Sequence, residues 1–172
     1  CYRLCPLMLN IPVMLRQIEA ERLDEAIVTV RQALPLAGVL GRLCHHPCEQ
    51  GCRRGHWDDP AAIRDMERFA TDEDFRKAEP HVPSVKPATA KSVAIIGAGP
   101  VGLAAAYDLA RNGHAVTVYD RRARAGGSLR EVPEQTLPAA VLDAEIALLR
   151  RVGIIFKLGI EVGNEVTVES LA

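Results

Sequence analysis

Aromatic residues are scarce, at 4% of the chain, and tryptophan occurs once. So thin a supply argues against a surface built to stack single-stranded bases. Excess charge of one sign is lacking too. Lys and Arg number 21 against 22 Asp and Glu, for a net charge of -1. No global field draws such a chain to nucleic acid or to anionic lipid. The apolar runs fall well short of the ~18 residues of a membrane span. No leading basic and apolar segment reads as an export signal, so a cytoplasmic protein without a membrane span is expected. Cysteine is absent after residue 52.

The composition that remains is that of a folded protein: 172 residues, 48% apolar and 25% charged. This excludes a disordered chain, a collagen-like repeat and a disulfide miniprotein. Five cysteines, Cys1, Cys5, Cys44, Cys48 and Cys52, crowd into the first third. An odd, crowded set in a chain without an export signal makes a poor disulfide framework and suggests metal or cluster ligation. A start inside a cysteine motif, and an end at Glu169-Ser170-Leu171-Ala172, suggest a segment of a longer protein.

Residues 1–76 are expected to be all-helical. Ile11, Met14, Leu15 and Ile18 form one helical stripe, and Leu23, Ala26, Ile27 and Val30 form a second. Pro35, Gly38 and Gly41 interrupt the pattern, and a cysteine-rich loop follows over 41–55. Asp59-Pro60 reads as the start of a third helix with Ile63, Met66 and Ala70 inward. Residues 77–91, with Pro80, Pro83 and Pro87, read as a linker. Residues 92–172 then read as strand 92–98, helix 100–112, strand 115–120, helix 138–151 and strand 154–162. That order points to βαβ units on a parallel sheet. The expected fold class is α plus α/β: a small helical domain, then part of a Rossmann-like domain.

Gly97-Ala98-Gly99-Pro100-Val101-Gly102 is a G-x-G-x-x-G run at a strand-to-helix junction. Gly97 permits the turn, Gly99 admits a pyrophosphate, and Gly102 lets helix and strand pack closely. The helix N-terminus, opened by Pro100, presents N–H groups to phosphate. Asp120 ends the next strand, where an acid accepts hydrogen bonds from a ribose diol and repels a 2′-phosphate. FAD or NAD is therefore expected here in preference to NADP. Gly126-Gly127 follows in a basic loop of Arg121, Arg122, Arg124 and Arg130. It reads equally as a second dinucleotide contact or as a solvated loop.

Thiolates at Cys1-x3-Cys5-Pro6 and Cys44-x3-Cys48-x3-Cys52 suit an iron–sulfur cluster or zinc, although paired C-x-x-C knuckles are missing. His45 and His46 adjoin Cys44 and read as loop histidines. The segments C-x3-CP-x5-IP, GRLCHHPCEQGCRRG, AAIRDMERFA and VAIIGAGPVGLAAAYDLA resemble the small (β) subunit of glutamate synthase. They are similar as well to the amino-terminal part of dihydropyrimidine dehydrogenase. The likeness covers nearly the whole chain.

The resemblance implies two [4Fe–4S] clusters. Cys5, Cys44, Cys48 and Glu67 would serve one, and Cys1 and Cys52 the other. Read by itself, Glu67 could equally be a surface acid beside Arg64 or Arg68. The resemblance also implies FAD on the glycine loop, NADPH or NADH in a domain outside this chain, and a larger catalytic or electron-accepting partner. Thr136 stands where relatives often carry an Arg near the flavin, and Asp120 where they usually carry Glu. The expected function is electron transfer between NAD(P)H, FAD and clusters, with no catalytic acid, base or nucleophile in view. The alternatives are an interaction module with structural zinc, and a flavin enzyme acting directly on a small substrate.

Overall fold

A computed structural model describes residues 1–164 and 166–171. Ala172, at the far end of the expected second domain, lies outside them. The chain divides into two compact units, Cys1–His81 and Val82–Ala172.

The first unit holds helices α1 (Ile11–Glu19), α2 (Leu23–Ala33), α3 (Ala37–Leu43), α4 (Pro47–Gln50) and α5 (Ile63–Phe75). Its core joins Leu9, Ile11, Met14, Ile27, Val30, Leu34, Ala37, Cys48 and Ile63. The stripes of α1 and α2 face this core as their periodicity requires. Helix α3 runs through both glycines that were expected to break the pattern. Gly41 explains why: a Cβ there would stand 2.9 Å from the Arg68 Cα, so the glycine lets α3 press on α5. Among the described residues, no single helix is long and apolar enough to cross a membrane. The pair α2 and α3, which together reach that length and composition, bends by 83° at its break.

Helix α5 departs twice from expectation. It begins at Ile63, and Asp59-Pro60 stay outside it. The donor at its start is met from afar instead, where Glu49 Oε1 accepts the Arg64 N–H at 2.8 Å. Its inner stripe is Ile63, Glu67, Ala70, Thr71 and Asp74, whereas Met66 is 38% exposed. Arg31 and Asp74 form a fully buried ion pair at 2.7 Å, and Arg31 also lies over the Phe75 ring. Asp74 accepts the His81 N–H, and Arg31 donates to the His81 carbonyl, so the chain leaving α5 is anchored.

In the second unit, β1 (Ser92–Ile96), β2 (Ala115–Asp120) and β3 (Ile155–Leu158) form a parallel sheet in that order. Ser92 pairs with Ala115, and Thr117 with Ile155. Helices α6 (Pro100–Arg111) and α7 (Ala139–Arg151) make the crossovers. Right-handed connections running the same way put both on one face. That face is buried through Val116, Val118, Leu103, Leu142 and Leu149, whereas Ile96 and Ile155 stay exposed. Strand β3 is shorter than expected, ending at Leu158, because Gly159 turns at φ +74°.

Residues 86–91 are less free than a linker. Lys86 N–H bonds to the Arg111 carbonyl, Thr89 N–H to the Gly113 carbonyl, and Thr89 Oγ1 meets His114 Nδ1 at 2.7 Å.

Candidate dinucleotide cleft and cysteine centre

The glycine loop is set by the end of β1. Gly97, at φ +107°, continues the ladder by donating to the Tyr119 carbonyl at 2.7 Å. Gly102 is required by packing, since a Cβ there would fall 1.9 Å from the Gly97 carbonyl oxygen. Gly97 and Gly99 are different. Nothing stands within 4 Å of where their Cβ atoms would lie, so no protein contact demands a glycine there. That open space belongs to a cleft of about 590 Å³. Gly99 caps α6 without a side chain, which leaves the helix N-terminus available to an anion.

Of the residues singled out from sequence, Gly97, Gly99, Asp120, Arg121 and Gly127 line the cleft. Pro100, Gly102 and Gly126 stand behind it and shape it. The Gly126 N–H donates to the Ala98 carbonyl at 2.8 Å, and Gly127 lies against Gly99. The second glycine pair is thus packed against the first glycine turn, with Gly127 lining the cleft.

The basic loop divides. Arg124 and Arg130 turn to Asp143 on α7, at 3.2 and 2.5 Å, and hold its carboxyl below the usual range. Arg121 and Arg122 remain at the cleft, where Arg122 meets Glu131 at 3.4 Å. Glu131, Ser128 and Ile160–Val162 also line it. The sequence offered no sign of the last segment, because it reaches the cleft only after β3 returns beside β2. Thr136 is exposed in the turn before α7.

In the first unit all five thiols are free. Cys48 is 5% exposed and belongs to the hydrophobic core, with Cys5 packed against it. Burial pushes the Cys48 thiol up to about 11, with further contributions from the nearby charges of Glu67, Glu49, Cys44 and Cys5. Glu67 is 5% exposed, and burial, then Glu49, pushes it up to about 7 against the pull of Arg64. The Cys44 sulfur accepts the His46 N–H at 3.4 Å. Glu49 is held between His46 Nδ1, at 3.0 Å, and the Arg64 amide. Cys5, Cys44 and Glu67 thus lie near one buried thiol.

Cys52 has different surroundings. The Ala61, Arg54 and Gly55 backbones hydrogen-bond its sulfur and lower it, as does the positive amino group of Cys1 nearby. Among the described residues, no three His, Cys, Asp or Glu converge as they would on a single metal ion.

A family model described as dihydropyrimidine dehydrogenase domain II, 4Fe-4S cluster, matches residues 1–79, and one for an NAD(P)-binding Rossmann-like domain matches residues 95–153. The chain is thus similar, unit by unit, to NAD(P)-dependent oxidoreductase subunits that carry these two domains. Three relatives share more than a third of their aligned residues with it. The NADP(+)-dependent formate dehydrogenase subunit beta of Moorella thermoacetica is 38% identical over 99% of this chain and 27% of its own length. The NAD-dependent dihydropyrimidine dehydrogenase subunit PreT of Escherichia coli is 39% identical over 99% and 42%. The glutamate synthase [NADPH] small chain of Mycobacterium tuberculosis is 36% identical over 99% and 35%. The chain thus spans between about a quarter and two fifths of these relatives.

Proposed function

We propose that this chain is an electron-transfer segment in which electrons pass between NAD(P)H, an FAD in the glycine cleft and a [4Fe–4S] cluster of the helical unit, to or from a partner subunit or domain. The observation that carries this reading is the grouping of Cys5, Cys44 and Glu67 about the buried Cys48. Three thiolates and a carboxylate match the donor set of one cluster with a harder fourth ligand. Cys52 and the adjacent Cys1 would serve a second cluster completed by other residues.

The cleft supports FAD through its open glycine positions, uncapped helix and Asp120. When bound, a flavin takes an electron pair as hydride and releases electrons singly. The chain's own residues would bind and orient it, with the α6 amides holding the pyrophosphate and Asp120 the ribose. The names of the relatives suggest NADPH or NADH as donor and a multi-subunit assembly.

The test is metal and flavin analysis of the full-length protein prepared anaerobically. Iron, acid-labile sulfide and stoichiometric FAD are expected. Zinc without iron, or a protein that binds no flavin, overturns the reading.

A further inference from the structure

Asp120 ends β2 with both carboxylate oxygens engaged. Oδ2 accepts the Ala98 N–H at 2.6 Å, and Oδ1 accepts the Arg122 N–H at 2.7 Å. Ala98 is the fully buried middle of the Gly97–Gly99 turn. Arg122 belongs to the basic loop on the other bank of the cleft. One side chain therefore bridges the two loops between which the cleft opens. The other hydrogen bonds of the turn are backbone to backbone, from the Gly97 N–H to the Tyr119 carbonyl and from the Gly126 N–H to the Ala98 carbonyl, and α6 has no side-chain cap.

We propose that Asp120 is a positioning residue: it sets the glycine turn through the Ala98 amide before any dinucleotide binds. A carboxylate offers about four acceptor positions. Two are committed to backbone amides, and the ribose diol is read with those left over. Bonds of this type are shorter and about twice as strong as neutral ones. They are strong enough to hold the two loops in register before the ligand binds. The identity of the dinucleotide rests on the FAD reading above, whereas the ordering of the loops does not.

The experiment is amide nuclear magnetic resonance of the nucleotide-free chain, with FAD titration of the complete protein. The Ala98 and Arg122 amide protons should lie far downfield and exchange slowly in the wild type. Asp120→Asn keeps the shape but removes an acceptor. It should return at least one of the two amides to the ordinary range and speed its exchange about tenfold, leaving the interior of α6 protected, and weaken FAD by about tenfold. Wild-type amides at ordinary positions overturn the proposal, and this measurement decides even if the variant fails to fold. A variant that loses FAD while both amides stay put also overturns it and leaves Asp120 a ribose ligand alone. Failure of the wild type to bind FAD strikes the cofactor reading, with the amide shifts still deciding the role of Asp120.

Discussion

Gly127 lies against Gly99: a methyl group on Gly127 would stand 2.7 Å from the Gly99 Cα. The contact is backbone to backbone, so neither side has a flexible atom that could yield. Gly127 is also at φ +54°, a conformation costly to any residue with a Cβ, by about 1–2 kcal/mol. Gly127→Ala should wedge the two loops apart and weaken FAD by roughly tenfold or more. Flavin retention on gel filtration checks this, and the iron content of the helical unit should not change.

Gly113, at φ +88°, is held to glycine by the segment before β1. A Cβ there would fall 2.2 Å from the Pro87 carbonyl oxygen. Gly113→Ala should detach residues 86–89 from the end of α6 and cost about 2–3 kcal/mol. A urea midpoint reads the loss. A variant as stable as the parent would mean that this strap contributes nothing to the fold.

The Arg31–Asp74 pair is buried on both sides at 1% exposure. Asp74→Ala removes the buried carboxylate partner of Arg31 and should cost about 3–5 kcal/mol, and Arg31→Ala should cost less, because Lys77 still meets Asp74 at 3.2 Å. The double change Arg31→Met with Asp74→Leu should lose less than the two single losses added together, because it leaves no buried charge and frees only the His81 backbone groups. Losses that simply add would show that packing, not charge, sets the cost.

His81 supplies a pH dependence beside that pair. Burial, then the charge of Arg31, lowers its pKa, with Lys77 adding to this and Asp74 and Asp24 opposing it. The unfolded chain therefore takes up the proton first as pH falls. The contribution of neutral His81 is present above the ordinary value of 6.5 and is lost as pH falls through 6.5 toward the lower folded value. His81→Gln leaves its anchored backbone in place and should remove that loss. Denaturation midpoints at pH 7.5 and 5.5 should differ less in the variant than in the wild type.

Glu67, as the oxygen ligand of the Cys5, Cys44 and Cys48 cluster, would give its iron a harder donor than thiolate. Glu67→Ala should change the electron paramagnetic resonance signal of the reduced protein or lose that cluster. An unchanged spectrum and iron content would make Glu67 a buried neighbour only.

Much of the second unit is written locally. Alternating Val116 and Val118, the Gly97–Gly102 run and the acid at Asp120 fix β1, α6 and β2, because strand and helix periods and turn chemistry act within a few residues. The cysteines likewise announce ligation through their number and spacing. What the sequence could not decide depended on partners far along the chain. Glu67 faces inward and Met66 outward because α3, thinned by Gly41, settles on that side of α5. Helix α5 starts at Ile63 because Glu49 arrives to meet the Arg64 amide. Arg124 and Arg130 leave the cleft because α7 brings Asp143 to them. The Asp120 oxygens are committed because two loops converge on the end of β2. Each is a choice among conformations that local preference leaves nearly equal, and long-range burial and hydrogen bonding select among them only once the elements have packed.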